Sequence, residues 1–330
     1  MGEFKGVMVF AEQKNGVIHK VTYELLAKAK ELALKLNENV YCCICGPSIL
    51  QINELIYRGA DKVFYVKDDE IFSMPEVITY VKNVVRVIED VRPEICLFGA
   101  TSFGRSLAPR IAAALKCGLT ADCTGLEIDL DDKKLIQIRP AFSENILAHI
   151  KSNCMPQMST VRYKEFAEAI RDESKTGEVI SFDPVIIENN PIKVLEEIKQ
   201  EEFQITDADV VVAAGKGLKS PEDFKLLEEL AGLLGGVVGA TRPLVEEGFI
   251  SRAHQVGYSG NRVKPKLYIA CGISGAPQHI AGMKESETIL AINSDPSAPI
   301  FNTADYGIVG DIYEVVPQLI NKIKNKKSII

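Results

Sequence analysis

Residues 267–283 read LYIACGISGAPQHIAGM, and this stretch predicts one strand, one turn and the start of one helix in a parallel sheet. The run at 266–270 has the length of a buried strand, and the Gly-rich run at 272–276 follows it. Pro277 suits the first turn of a helix, where its missing N–H has no helical acceptor in any case. Ligands bind at the carboxyl ends of such strands, so this turn is a candidate binding site.

Strands and helices alternate on both sides of this stretch. In the C-terminal half we predict strands at 208–213, 236–240, 266–270 and 288–293, and helices at 221–234, from Pro277 and at 312–324. In the N-terminal half we predict strands at 6–11, 39–46, 62–66 and 95–100, and helices at 21–36, 48–58, 77–89 and 105–116. Such alternation is typical of parallel sheets with helical crossovers. The chain is therefore predicted to be an α/β protein with two doubly wound domains.

The middle of the chain interrupts this alternation. The runs at 125–130 and 134–139 predict a β-hairpin, which we expect to extend the N-terminal sheet at an edge. The charged segment at 171–202 contains Pro184 and Pro191 and is typical of a linker. We therefore predict a first domain at 1–195, a linker at 196–205 and a second domain at 206–330.

Composition and charge exclude several classes of protein. The formal net charge is −7 over 330 residues, which disfavours a surface for nucleic acid or anionic membranes. No apolar run approaches the roughly 20 residues that span a bilayer, and no export signal is recognisable at the start, so we expect a cytoplasmic protein.

The eight cysteines predict buried, reduced thiols and no metal site. Several lie inside apolar strand-like runs, where thiols behave as small apolar side chains. No CxxC or CxxCxxC spacing occurs, so we expect no iron–sulfur cluster.

Two Gly-containing turns are candidate ligand loops, although each has a purely structural interpretation. Gly215, Lys216 and Gly217 follow an apolar strand, yet the dinucleotide fingerprint G-x-G-x-x-G is incomplete there. The turn could hold a phosphate, or it could be a tight turn with a purely structural role. The loop at 255–260, QVGYSG, has two glycines that bracket Tyr258 and Ser259, so its N–H groups are either a ligand cradle or part of an ordinary turn.

Four further residues at predicted strand ends carry ligand-binding chemistry. Arg242 precedes Pro243, which favours an extended Arg242, and its planar guanidinium could stack on a flat ring or lie on the surface. His279 is either a structural histidine or a hydrogen-bond donor. Asn293 ends a strand, and Asp311 begins the last helix, where it could cap that helix or bind a ribose.

The sequence offers no nucleophile triad around Ser274. The pattern G-x-S-x-G is broken at Ala276, and no spacing of acid and base residues supports nucleophilic catalysis. Ligand binding without bond breaking is therefore favoured.

Taken together, these motifs resemble the alpha subunit of electron transfer flavoprotein over nearly the whole chain. The stretches that carry the resemblance are VFAEQ, RPEICLFGATSFGRSLAPRIAAAL, GLTADCTGL, GLKSPE, FKLLEELA, QVGYSG and GISGAPQHIAGMK. The resemblance implies an N-terminal parallel sheet like that of adenine-nucleotide hydrolases, which docks a beta subunit, and a C-terminal Rossmann-like sheet that binds FAD.

The resemblance also implies a set of cofactor-binding residues and no catalytic residue. Arg242 would lie near the N5 edge of the flavin ring, Ser259 would bond at N5, and His279 would donate toward O2, so these three residues would tune the flavin. Asn293 and Asp311 would hold the adenosine end. Lys216 occupies a place where many members have Arg. The implied set comprises Lys216, Thr241, Arg242, Gln255, Val256, Gly257, Tyr258, Ser259, Gly260, Gly272, Ser274, Gly275, Ala276, Gln278, His279, Asn293 and Asp311.

The partners implied by the resemblance are a beta subunit, with a second FAD or AMP, and an acyl-CoA dehydrogenase-type enzyme. The stretches TRPLVEEGF and QVGYSG look like sequences from anaerobes whose proteins bifurcate electrons from NADH to ferredoxin. Two other hypotheses remain. One is a regulatory module that binds an adenine nucleotide, and the other is an NAD-dependent dehydrogenase, which the incomplete glycine fingerprint disfavours.

Overall fold

The computed structural model describes residues 3–49, 51–141, 146–187 and 205–327, with the backbone alone for 326–327. The chain divides into two compact units, Met1–Val194 and Leu195–Ile330. The predicted linker at 196–205 lies outside the described residues except for Ile205, which begins a short 3₁₀ helix.

The N-terminal unit contains twelve described strands and four described α-helices. The strands are β1 (Val7–Phe10), β2 (Gln13–Lys14), β3 (Val17–Ile18), β4 (Val40–Gly46), β5 (Lys62–Lys67), β6 (Ile95–Gly99), β7 (Leu119–Cys123), β8 (Gly125–Ile128), β9 (Leu135–Ala141), β10 (Ile146–Ile150), β11 (Gln157–Val161) and β12 (Glu178–Phe182). The helices are α1 (Val21–Leu36), α2 (Asn53–Tyr57), α3 (Val77–Val91) and α4 (Ser102–Leu115).

Seven of these strands form a parallel sheet in the order β12-β5-β4-β1-β6-β11-β7. Residues that alternate along each strand face opposite sides. Val9 and Cys42 join one buried cluster with residues of α1, while Met8 and Cys43 join another with residues of α3 and α4. Because both faces are covered, the strands are apolar throughout, and the predicted parallel α/β sheet is confirmed.

Three details of the N-terminal unit differ from the predictions. The hairpin of β8 and β9 forms, but with β10 it makes a separate antiparallel sheet and does not extend the main one. The edges of the main sheet are instead β7 and β12. β12 comes from the segment predicted as linker and pairs with β5, where it is a short edge strand with mostly exposed side chains. The helix predicted at 48–58 is only the short α2.

The C-terminal unit contains five described strands and four described α-helices. The strands are β13 (Val210–Ala214), β14 (Val237–Ala240), β15 (Leu267–Cys271), β16 (Ile289–Asn293) and β17 (Tyr306–Val309). The helices are α5 (Phe224–Leu233), α6 (Arg242–Glu246), α7 (Pro277–Ile280) and α8 (Ile312–Lys327).

These strands form a second parallel sheet in the order β14-β13-β15-β16-β17, and both of its faces are buried. The second doubly wound sheet is thereby confirmed. The sequence did not predict β17, because Gly307 and exposed Tyr306 give it neither an apolar run nor an alternating pattern. The helix from Pro277 is a single turn, so its dipole is far smaller than that of a full helix.

The thiols are mostly buried, as predicted. Cys42, Cys43, Cys45, Cys96, Cys123 and Cys271 are buried, Cys117 is half-buried, and Cys154 is exposed. Burial raises the pKa of Cys123 to about 11 and that of Cys271 to about 12, so both remain protonated near neutral pH. Within the described ranges, no three His, Cys, Asp or Glu side chains are grouped to hold a metal ion. Over the same ranges, no helix is long and apolar enough to cross a membrane.

Candidate cofactor site

A cavity of about 790 Å³ opens at the carboxyl ends of the C-terminal strands. β13 pairs with β14 on one side and with β15 on the other. The crossovers that leave β13 and β15 run in opposite directions, to β14 and to β16, and a crevice remains between the loops that follow these two neighbouring strands. The cavity volume lies within the roughly 300–1,000 Å³ that is usual for small-molecule and cofactor sites.

The cavity brings together nearly all of the predicted cofactor-binding residues. Those that line it are Lys216, Thr241, Arg242, Gln255, Val256, Gly257, Tyr258, Ser259, Gly272, Ser274, Ala276, Gln278, His279, Asn293 and Asp311. Gly260 and Gly275 do not line it. A Cβ on Gly260 would lie 2.5 Å from the Gln255 carbonyl oxygen, and one on Gly275 would lie 2.3 Å from the Ile300 nitrogen. Both glycines therefore serve close packing behind the cavity.

The floor of the cavity is a close crossing of two backbone segments. A Cβ on Gly215 would lie 2.3 Å from the Gly272 carbonyl oxygen, and one on Gly272 would lie 2.7 Å from the Gly217 Cα. The Gly217 N–H donates to the Gly272 carbonyl at 3.0 Å. Gly272 also has a φ of +62°, a left-handed value that side chains disfavour. The tight-turn interpretation of Gly215 to Gly217 is thus correct, and the turn still borders the cavity.

The QVGYSG loop is held in shape by hydrogen bonds within it. The side chain of buried Gln255 donates to the Ser259 hydroxyl at 3.2 Å, and the Asn261 N–H donates to the Gln255 carbonyl at 2.7 Å. Gly257 has a φ of +146°, and its Cβ would approach the Gln278 carbonyl oxygen to 3.1 Å. The loop therefore presents Tyr258 and Ser259 to the cavity from a fixed backbone.

Both ring nitrogens of His279 have protein partners. Nδ1 lies 3.1 Å from the Val256 carbonyl oxygen, and Nε2 lies 3.0 Å from the Tyr268 hydroxyl. Burial lowers the pKa of His279 to about 4, so the ring is neutral near pH 7. A carbonyl oxygen can only accept, so Nδ1 carries the proton and Nε2 accepts from Tyr268. These bonds are those of a structural histidine, and the donor role toward a flavin that the resemblance implied stays a prediction.

Arg242 lies in the first turn of α6, which corrects the extended conformation expected from Pro243. Thr241 is the extended residue instead, with φ −74° and ψ 155°. Pro243 occupies the second position of α6, so the preference for an extended residue before proline is overridden at Arg242. The Arg242 side chain is 64% exposed at the cavity, and its Nε donates to Glu246 at 2.7 Å. Lys216, also exposed, pairs with Glu247 at 2.9 Å.

Asn293 and Asp311 shape the loops at the other end of the cavity. The Asn293 side chain donates to the Ile273 carbonyl at 2.9 Å and accepts from the Asp295 N–H at 3.0 Å. Asp311 accepts from the Tyr313 N–H at 2.9 Å, so it caps the start of α8, as one of its two interpretations predicted.

Sequence reasoning missed one further cation on the cavity. Lys219 lines it, and its ammonium lies 4.7 Å from the centroid of the Tyr313 ring. The Tyr313 hydroxyl accepts from the Lys219 N–H and donates to Asp223. The motif GLKSPE contained Lys219, but only the fold brings Tyr313 of α8 beside it.

Comparisons with known proteins cover both units. Residues 7–186 match the electron transfer flavoprotein domain, and residues 204–284 match the electron transfer flavoprotein FAD-binding domain. The second match ends before Asn293 and Asp311. The chain is 47% identical to an electron transfer flavoprotein subunit alpha from Thermoanaerobacterium thermosaccharolyticum, with 99% of this chain and 100% of that protein covered.

Two further relatives come from other organisms. An electron transfer flavoprotein subunit alpha from Megasphaera elsdenii is 45% identical over 100% of this chain and 99% of its own length. The protein named lactate dehydrogenase (NAD(+),ferredoxin) subunit LctC from Acetobacterium woodii is 44% identical over 98% of this chain and 78% of its own length. This chain therefore belongs to the electron transfer flavoprotein family, among the alpha subunits.

Proposed function

We propose that this chain binds FAD in the C-terminal cavity and acts as the alpha subunit of a two-subunit electron carrier. The observation that carries the proposal is the cavity itself, which gathers polar backbone loops and the cations Lys216, Lys219 and Arg242 at the carboxyl edge of a parallel sheet. Dinucleotides bind at such edges. The fit to a flavin is supported by the FAD-binding family match at residues 204–284.

The donor set of the cavity suits a flat ring joined to a diphosphate. Arg242, Ser259 and His279 form the ring-facing set of this proposal, and Asn293 and Asp311 form the adenosine-facing set. The buried Thr241 hydroxyl beside the cavity has no hydrogen-bond partner among the described residues, and buried hydroxyls are usually paired. Bound there, FAD would supply the one- and two-electron chemistry that side chains lack.

The cavity lacks the machinery for nucleophilic catalysis in the part of the chain that the structure describes. His279 cannot act as the base for Ser274, because Nδ1 and Nε2 are engaged by Val256 and Tyr268. Positive charge beside the ring would instead stabilise a negatively charged reduced flavin. We therefore expect the protein to tune a redox potential.

A titration of the flavin tests this role. The heterodimer, produced with its beta subunit, should be yellow and bind FAD stoichiometrically in the alpha chain. Arg242→Ala should lower the first-electron potential by on the order of 60 mV, because about 59 mV corresponds to tenfold weaker relative binding of the reduced ring. Arg252→Ala, at an exposed arginine outside the cavity lining, is the control. An unchanged potential in Arg242→Ala would contradict the proposal.

The partner proposal has two parts. We propose an acyl-CoA dehydrogenase-type enzyme as electron partner and a second FAD or AMP in the beta subunit. The relative whose name includes NAD(+) and ferredoxin also favours bifurcation from NADH to ferredoxin. An assay of NADH-dependent ferredoxin reduction, with and without the dehydrogenase and its substrate, tests this. Ferredoxin reduction that does not need the dehydrogenase would contradict bifurcation.

The regulatory alternative makes the opposite prediction. A colourless heterodimer that binds ATP would support an adenine-nucleotide sensor and would reject the electron-carrier proposal.

A further inference from the structure

Two of the eight cysteines lie apart from the buried thiols. Cys154 is exposed and Cys117 is half-buried, whereas the other six are buried. Cys117 lies between α4 and β7, and Cys154 lies between β10 and β11. The segment between these two cysteines contains β7 and the whole separate antiparallel sheet of β8, β9 and β10. The two thiols therefore stand at the entry to this segment and at the exit from it.

The strand register brings the two ends of this segment side by side. β7 and β11 are parallel neighbours, with Leu119 opposite Met158. Neighbouring strands are about 4.8 Å apart, so the residues just before β7 lie beside the residues just before β11. A Cβ placed on Gly118 would lie 3.6 Å from the Ser152 hydroxyl oxygen, and that oxygen accepts from the Cys154 N–H at 3.2 Å. One hydroxyl therefore lies between the two ends.

The Cys117 thiol faces β11, the strand that Cys154 precedes. Its Sγ lies 3.2 Å from the Sδ of Met158, a buried residue of β11. Burial is the main cause that raises the pKa of the Cys117 thiol, and the charge of the nearby Cys154 thiolate adds to the rise. The two thiols are thus close enough for their charges to interact. Because Cys154 is the exposed one, it is the thiol that an oxidant in solution meets first.

We propose that Cys117 and Cys154 form a reversible disulfide when the protein meets hydrogen peroxide. The Cys154 thiolate attacks one peroxide oxygen, the O–O bond breaks, and a sulfenic acid forms as hydroxide leaves. The Cys117 thiolate then attacks the sulfenic sulfur, so that the S–S bond forms and a second hydroxide leaves. The two thiol protons convert both hydroxides to water. Two thiols are thereby oxidised to one disulfide, and one hydrogen peroxide is reduced to two waters.

The disulfide joins the end of α4 to the chain before β11 and closes a covalent loop around the antiparallel sheet. Crosslinks that close a long loop restrict the unfolded chain, so the oxidised N-terminal unit should unfold at a higher denaturant concentration. Both cysteines belong to the N-terminal unit, whereas the proposed FAD site lies in the C-terminal unit. The disulfide therefore stands or fails independently of the flavin.

Peptide mapping under non-reducing conditions tests the disulfide. The heterodimer, produced with its beta subunit, is treated with hydrogen peroxide, its remaining thiols are alkylated in denaturant, and it is digested. We expect one crosslinked pair of peptides, lighter than the sum of the two reduced peptides by two hydrogen atoms and separated by dithiothreitol. The six buried cysteines are the internal control and should remain thiols. Cys154→Ser should abolish the crosslink and leave the flavin content unchanged.

The stability of the same samples is a second measurement. Oxidation should raise the urea midpoint of the N-terminal unit in the wild type and should leave it unchanged in Cys154→Ser. Cys117→Ser should behave in the same way. Because Cys154 is exposed, Cys154→Ser decides the test even if the substitution at half-buried Cys117 disturbs the fold.

The proposal would be overturned by any product in which these two thiols do not meet. Such products are a Cys154 that is oxidised only to sulfinic acid, a Cys154 that is linked to a second molecule, and a crosslink between Cys117 and the buried Cys96. An unchanged wild-type peptide map after treatment with peroxide would reject it as well.

Discussion

The two parallel sheets end differently at their carboxyl edges, and the difference shows why one crevice is open. After β1 the chain continues as Ala11-Glu12-Gln13, and after β13 it continues as Gly215-Lys216-Gly217. The Gln13 side chain donates to the Cys45 carbonyl at 3.2 Å and to the Tyr80 hydroxyl at 3.0 Å. In the N-terminal unit, therefore, a side chain of the first loop bridges β4 and α3.

A second contact of this loop lies at the start of α4. Glu12 accepts from the Thr101 hydroxyl at 2.6 Å, and Thr101 caps α4 by accepting from the Gly104 N–H at 2.9 Å. A carboxylate thus stands beside the helix start that could otherwise attract a phosphate. In the C-terminal unit the corresponding loop consists of glycines and an exposed lysine that borders the cavity and pairs with Glu247. The two units therefore differ in the side chains that follow their first strands, and only the second places a cation there.

The largest expected effect comes from filling the floor of the open crevice. Gly272→Ala would place a Cβ 2.7 Å from the Gly217 Cα at a φ of +62°, so we expect a loss of about 3 kcal/mol or more in the free energy of unfolding, together with loss of flavin. Denaturant unfolding and flavin stoichiometry measure this.

Gly235→Ala is the matched control. Gly235 has a φ of +68° with nothing within 4 Å of its Cβ position, so only about 1–2 kcal/mol of backbone strain is expected and flavin should remain bound. Equal losses in the two variants would show that the close crossing is unimportant.

Buried titratable groups should give the two units opposite pH dependences. Burial raises the pKa of Glu24 to about 7. Between about pH 4.5 and 7 the folded state keeps a proton on Glu24 that the unfolded chain has released. The stability of the N-terminal unit should therefore fall as the pH rises through this range. The pKa of His279 is lowered to about 4, so the C-terminal unit should lose stability as the pH falls from about 6.5 to 4.

We expect changes of about 1–3 kcal/mol from these pKa shifts, measured by denaturant unfolding between pH 4 and 8. Glu24→Gln should flatten the first slope and His279→Gln the second. If both units respond to pH in the same direction, the assignment of the two groups is wrong.

A smaller effect is expected at the carboxyl edge of the N-terminal sheet. Thr101→Val removes the cap of α4 and the donor to Glu12, and should cost about 1–2 kcal/mol of stability. FAD content should not change, because the flavin is assigned to the other unit. Thr101→Ser keeps the hydroxyl and is the control. If Thr101→Val lost its flavin while the fold stayed intact, the assignment of the flavin to the C-terminal unit would be wrong.

The smallest effect concerns the ion pairs at the mouth of the open crevice. Glu247→Gln releases Lys216, and since exposed pairs contribute at most about 1 kcal/mol, FAD should bind up to about fivefold more tightly at low salt. High salt should abolish the gain. Glu228→Gln, on α5 and outside the cavity lining, changes the net charge equally and should leave the affinity unchanged. Weaker FAD binding in Glu247→Gln would show that Glu247 and FAD do not compete for Lys216.

The predictions from sequence succeeded where a local pattern determines local structure. The bounds of α1 match the predicted 21–36, because an apolar face with helical period and a polar face occupy the same residues. The hairpin of β8 and β9 was also correct, yet its assignment to the main sheet was not. Which sheet a strand joins depends on the edges that other segments, here β7 and β12, already occupy.

The amino-acid sequence by itself determined the two alternations of strand and helix, the glycines that permit close backbone approach, and the set of polar residues at strand ends. Only the tertiary structure decided how these residues are used. It paired Lys216 with Glu247, and it engaged both nitrogens of His279. The sequence gave no sign that the Tyr268 hydroxyl meets His279, because a tyrosine in an apolar strand has the pattern of a core residue. Hydrogen-bond direction and burial arise from contacts between residues far apart along the chain, which no local pattern encodes.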